Sequence, residues 1–108
     1  MMELKHKLVC HIPGMAWCGG SLETLPLDRL LQELANEFEQ SGASGLYVMD
    51  AAGYYKGRSY PEKLVTVYCD DAGKYAEAFV NWFRGNNETL KQEALAYEMD
   101  GALRIEIL

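Results

Sequence analysis

The sequence predicts an α+β fold: a single antiparallel sheet with two helices on one face, in one domain spanning residues 1–108. Two segments carry apolar residues at helical spacing, and β-rich segments rich in turn chemistry surround them. The two halves also echo one another. Lys7-Leu8-Val9 opens the first and Lys63-Leu64-Val65 the second, while Tyr47-Val48-Met49-Asp50 and Tyr97-Glu98-Met99-Asp100 each precede a turn. The expected order is therefore β-α-β-β-β-α-β-β, a duplicated βαββ unit.

Each element has a local cause. Lys7 to Ile12 reads as a strand ended by Pro13-Gly14, and Pro13 to Leu25 as a long loop. Long loops inside compact domains are often functional. Leu27, Leu30, Leu31, Leu34, Ala35 and Phe38 form an apolar stripe, which places a helix over 26–40 with Pro26 in its first turn and Gly42 as its stop. Leu46 to Met49 then reads as a strand, Asp50 to Gly53 as a turn, and Tyr54 to Ser59 as the return strand, broken by Pro61. Leu64 to Cys69 is a further strand. Asp70 or Asp71 caps a second helix over 72–84, whose inner face is Tyr75, Ala76, Phe79, Val80 and Phe83. Residues 86–92 fit a loop or an added helical turn equally well. The C-terminus reads as a hairpin. A three-residue loop, Met99-Asp100-Gly101, would set Tyr97 opposite Leu103 and Leu95 opposite Ile105, keeping each face uniform.

Composition narrows the function classes. A chain of 108 residues with 49% hydrophobic and 24% charged residues can fold without a metal or disulfide staple. Its formal net charge of −6 comes from 10 Lys and Arg against 16 Asp and Glu. Nucleic-acid binding needs a cationic face, so that class is disfavoured and basic partners or cationic ligands are favoured. The N-terminal residues lack the apolar core of a signal peptide, and no apolar run is long enough to span a membrane. Three cysteines, Cys10, Cys18 and Cys69, cannot pair completely. A cytoplasmic protein with reduced thiols, no cofactor and no metal is the expectation.

Several residues could carry chemistry. If both helices cover one sheet face, the other carries tyrosines such as Tyr47, Tyr54 and Tyr97, and an aromatic face in water marks a ligand cleft or an interface. Glu98 among these aromatics would suit a cationic, amphiphilic ligand. Trp17, in the long loop, would close over it. Cys10 and His11 are adjacent strand residues and point to opposite faces, so they do not share a metal ion. Tyr54, Tyr55, Lys56, Arg58, Tyr60 and Lys63 make a basic-aromatic strip, which reads best as an exposed hairpin.

Trp17-Cys18-Gly19-Gly20-Ser21 resembles the monothiol form of the thioredoxin and glutaredoxin motif, and the resemblance implies a reactive thiol at Cys18. That chemistry needs a helix N-terminus at the sulfur. Pro26 places the helix start well beyond it. The duplicated βαββ order also resembles the gyrase-inhibitor-like, effector-binding architecture, which implies a small-molecule cradle at the seam of the halves. The leading expectation is thus a non-enzymatic module that binds a small hydrophobic or cationic ligand at an aromatic sheet face, through Trp17, Tyr47, Tyr54, Tyr97 and Glu98. The alternative is a homodimer or other protein-interaction domain, including an acidic inhibitor of a basic target. A monothiol enzyme using Cys18 ranks third.

Overall fold

The structure is a computed structural model describing residues 1–108. Its ten elements are β1 (His6–Pro13), β2 (Met15–Cys18), β3 (Ser21–Thr24), α1 (Leu27–Gln40), β4 (Leu46–Tyr55), β5 (Arg58–Cys69), α2 (Ala72–Gly85), α3 (Asn87–Leu90), β6 (Ala94–Met99) and β7 (Ala102–Ile107). Five strands form one sheet in the order β4-β5-β1-β6-β7, and every neighbouring pair is antiparallel. The first strand sits at the centre, between β5 and β6. Each helix crosses over one strand to reach the next but one, which is the split β-α-β arrangement of ferredoxin-like folds, here extended by β7.

The core lies between the sheet and the helices. Leu8, Cys10 and Ile12 of β1, Val65 and Val67 of β5, and Leu95 and Tyr97 of β6 point into it. Leu30, Leu34 and Phe38 of α1 and Tyr75, Phe79 and Phe83 of α2 meet them. Phe79 is the hub: its ring packs edge-on against Phe83 and Tyr97, with centroids 5.8 and 6.1 Å away, and stacks with Trp82. The Asp71 side chain accepts a bond from the Lys74 amide and caps α2. The Tyr75 hydroxyl donates to the Ser41 carbonyl at 3.2 Å, tying α2 to the end of α1.

The α+β class, the antiparallel sheet and the two helices sharing one core are as the sequence predicts. Boundaries in the middle of the chain differ. The turn lies at Lys56-Gly57, not Asp50–Gly53, and Pro61 does not break the strand: 58–69 is one continuous strand. Bonding alternates along an antiparallel pair, and from this two-residue turn the Pro61 nitrogen points away from β4. The proline therefore removes no bond from that ladder, and its carbonyl accepts from the Gly14 amide at 2.9 Å. This one strand serves both as the return arm of the first hairpin and as the opening strand of the second half. The 13–25 segment is itself a hairpin, β2–β3, rather than a loop, and residues 87–90 make one helical turn.

The last hairpin also differs from expectation. Its loop has two residues, Asp100 and Gly101, at φ +50° and +87°, and Met99 pairs with Ala102. Both values lie in the left-handed region that a tight turn between twisted strands requires. Tyr97 consequently faces Arg104 and Leu95 faces Glu106, so the aliphatics of β7 fall on the face away from the helices. Uniform faces would have kept those aliphatics buried. At this edge of the sheet the helices cover too little for burial to decide the register.

Candidate functional site

Two sheet faces emerge from this register, and they redistribute the expected site residues. The helix-covered face takes Tyr97, which is buried against Phe79; burial raises its pKa, with the nearby Glu106 carboxylate adding to the rise. It therefore does not stand on the open face with the other tyrosines. The open face carries Tyr47, Thr66, Val9, Glu98 and Leu103 in one cross-strand row, and Met49, Leu64, His11, Ala96 and Ile105 in the next. Tyr47 and Glu98 thus share a face, but β5 and β1 lie between their strands. At a strand spacing of about 4.8 Å they stand roughly 14 Å apart.

Tyr54 lies near the tip of the β4–β5 hairpin, on an arm that runs past the last β1 pairing, Pro13 with Glu62. The basic-aromatic strip decorates the same arm, where the Lys56 ammonium sits 5.4 Å from the centre of the Tyr55 ring. Trp17 is exposed on β2, paired across its hairpin with Leu22. Trp17, Tyr47, Tyr54, Tyr97 and Glu98 are not gathered into one cavity.

Cys18 ends β2 just before the Gly19-Gly20 turn, half-buried, with the Ser21 hydroxyl donating to its carbonyl at 3.2 Å. The nearest helix begins at Leu27, so no helix dipole acts on the sulfur. Cys10 points into the core and His11 to the open face, and no three His, Cys, Asp or Glu side chains converge on a common point.

A cleft does exist at the base of the 13–25 segment. It is an open groove of about 550 Å³ between the start of α1 and the middle of the β4–β5 hairpin. Leu25, Pro26, Leu27, Ala51 and Pro61 supply apolar wall; Asp28, Arg29, Asp50, Glu62 and Lys63 supply charge. The volume is that of a small-molecule site. Its chemistry comes from two local facts. Pro26 precedes α1 and its ring cannot accept a capping bond; the Leu27 amide donates to the Leu25 carbonyl at 3.0 Å, which leaves the Asp28 and Arg29 amides with hydrogen-bonding capacity. Asp28 forms no ion pair, whereas Lys63 is bound to Asp50 across the β4–β5 ladder, and Arg29 reaches back to Glu33 at 3.3 Å. One place thus offers helix amides for an anionic group, the unpaired Asp28 carboxylate for a cationic one, and apolar wall for what lies between.

Sequence alone points to the segment above this cleft and gives its charged residues no ligand-binding role: Lys63 falls in the basic-aromatic strip and Asp50 in a turn, while Pro26 reads as the first turn of a helix. The residues that line the cleft come from four separated stretches, and the crossover of α1 beside β4 and β5 brings them together.

No protein-family profile matches the chain, and no curated protein sequence matches it. Among solved structures, a phage SAM lyase in its apo state superposes with a TM-score of 0.64 at 11% identity, covering 100% of this chain and 95% of that one. A phage SAM lyase in complex with S-methyl-5'-thioadenosine gives a TM-score of 0.61 at 10% identity, with the same coverage. At such identities the likeness is one of fold, extending over nearly the whole of each chain.

Proposed function

We propose that this protein is a small-molecule binding module whose ligand occupies the cleft between the start of α1 and the β4–β5 hairpin. The cleft's mixed lining carries this reading. Asp28, which has no ion pair, suits an ammonium or sulfonium, the Asp28 and Arg29 amides suit a carboxylate, and Leu25, Leu27 and Pro61 suit an apolar body. A small amphiphilic zwitterion with an extra positive charge meets all three. S-adenosylmethionine has that chemistry, and the similarly folded lyases, one of them solved with S-methyl-5'-thioadenosine, make it the first ligand to try. The binding reading moves the ligand from the tyrosine face to the cleft and keeps its cationic character.

Calorimetric titration tests this. S-adenosylmethionine is expected to bind saturably and more tightly than neutral S-methyl-5'-thioadenosine. Asp28→Asn should weaken the cation about tenfold, the scale of one charged hydrogen bond, and leave the neutral compound nearly unaffected. No saturable heat with either compound, or with a panel of hydrophobic cations, contradicts the reading. Breakdown of the ligand during the titration would make the protein an enzyme instead.

Self-association is a second reading with its own observation. Tyr47, Met49, Tyr68, Leu103, Ile105 and Ile107 stand exposed on the open sheet face, more apolar surface than a small monomer ordinarily leaves in water. A homodimer would cover part of it. Light scattering separates this reading from a purely monomeric binder.

A further inference from the structure

The C-terminal strand β7 is an edge of the sheet. Ala102-Leu103-Arg104-Ile105-Glu106-Ile107 contains no proline and no lysine, and pairs with β6 in unbroken register from Met99–Ala102 to Ala94–Ile107. Its charges, Arg104 and Glu106, point to the helix side, where Arg84 lies 3.6 Å from Glu106, and its open side is aliphatic. The direction of its free backbone groups follows from the turn. In a two-residue hairpin the pair flanking the loop, Met99 and Ala102, is hydrogen-bonded, so Arg104 and Glu106 also bond to β6. The Leu108 amide donates to the Glu93 carbonyl at 2.9 Å, as that alternation requires. Leu103, Ile105 and Ile107 therefore turn their N–H and C=O groups outward, to the unpaired side.

We propose that two copies of this chain join through β7, antiparallel about a two-fold axis at Ile105, so that one sheet runs through both. The proposal rests on the self-association reading and specifies its surface. Charge selects the register. Centred on Ile105, the pairing sets Arg104 against the partner's Glu106 and Glu106 against the partner's Arg104, on the helix side of the sheet. On the open side it sets Leu103 against Ile107 and Ile105 against its own counterpart. Centred on Arg104 or Glu106, it would set that charge against its own copy. In the Ile105 register Leu103, Ile105 and Ile107 supply both donors and acceptors, and the exposed side chains of Ile105 and Ile107 (64% and 78%) gain cross-strand partners.

Sedimentation and light scattering on the full chain test the pairing, with circular dichroism to confirm folding of each variant. The wild type is expected to be a dimer and Ile105→Lys a folded monomer. Arg104→Glu opposes Glu to Glu, and Glu106→Lys opposes Lys to Arg; each should dissociate about tenfold more readily than the wild type. An equimolar mixture of these two should restore dimers, because the charges are complementary between them. In a Cys18→Ser background, Ile105→Cys should cross-link covalently on oxidation, since it meets its own copy at hydrogen-bonded strand spacing. A dimer unaffected by Ile105→Lys, with no cross-link, overturns the β7 interface while leaving self-association standing. A trimer or larger ring overturns it too, because a two-fold edge closes at two copies. A protein monomeric at every concentration overturns both.

Discussion

Asp100 sits in the last hairpin turn and ties it to the start of β1. One carboxylate oxygen accepts from the Lys7 amide at 2.8 Å and the other lies 2.8 Å from His6 Nδ1. The amide bond first, and then the histidine, holds the carboxyl below its ordinary pKa. The sign follows: this support is present above the unfolded value of about 3.9 and disappears as pH falls through the lower folded value. Asp100→Asn is expected to lower the melting temperature at neutral pH, with the gap to wild type closing in acid; an equal gap at both pH values would contradict the assignment. The thiols give a second test at this scale. Burial pushes the Cys10 and Cys69 thiols up, while Cys18 is half-exposed. A thiol reagent should therefore label Cys18 in the native protein and the other two only on unfolding. Residue identity was legible where neighbours in sequence decide it, as in the opposite facing of Cys10 and His11. It was not legible for Tyr97, because a tyrosine satisfies a buried position and an exposed one equally well.

The elements were read most accurately where periodicity was long. The Leu27–Phe38 and Tyr75–Phe83 stripes bury most of the residues expected of them, with Leu31, Ala35 and Val80 only half-buried and Trp82 buried in addition, and Phe79→Ala should cost about 3–5 kcal/mol in denaturant unfolding. Strand turns were harder, because turn chemistry occurs at more places than turns do. Asp50–Gly53 has the composition of a turn yet lies inside β4, while Lys56-Gly57 makes the reversal. Pro61 reads as a breaker until its nitrogen is known to face away from the ladder. Pro61→Ala is accordingly expected to change stability by less than about 1 kcal/mol, the entropic scale of a proline in the unfolded chain. A much larger loss would mean that the proline holds the Gly14 contact or the cleft wall in place.

At the scale of the molecule, the class of fold was legible because two helices and several strands of this length have few ways to share one core. The interleaving was not. A duplicated unit would give each half its own opening strand, whereas here β5 serves both halves and β1 lies between β5 and β6. That interleaving places the start of α1 beside the β4–β5 hairpin and creates the cleft. It also leaves β7 as a bare edge. The cleft is the proposed site of small-molecule binding, and an amide-resolved NMR titration with S-adenosylmethionine tests that most directly. Saturable shifts confined to Leu27, Asp28, Arg29, Ala51 and Lys63 are the expected result; shifts centred on Tyr47 and Glu98, or none at all, would contradict it.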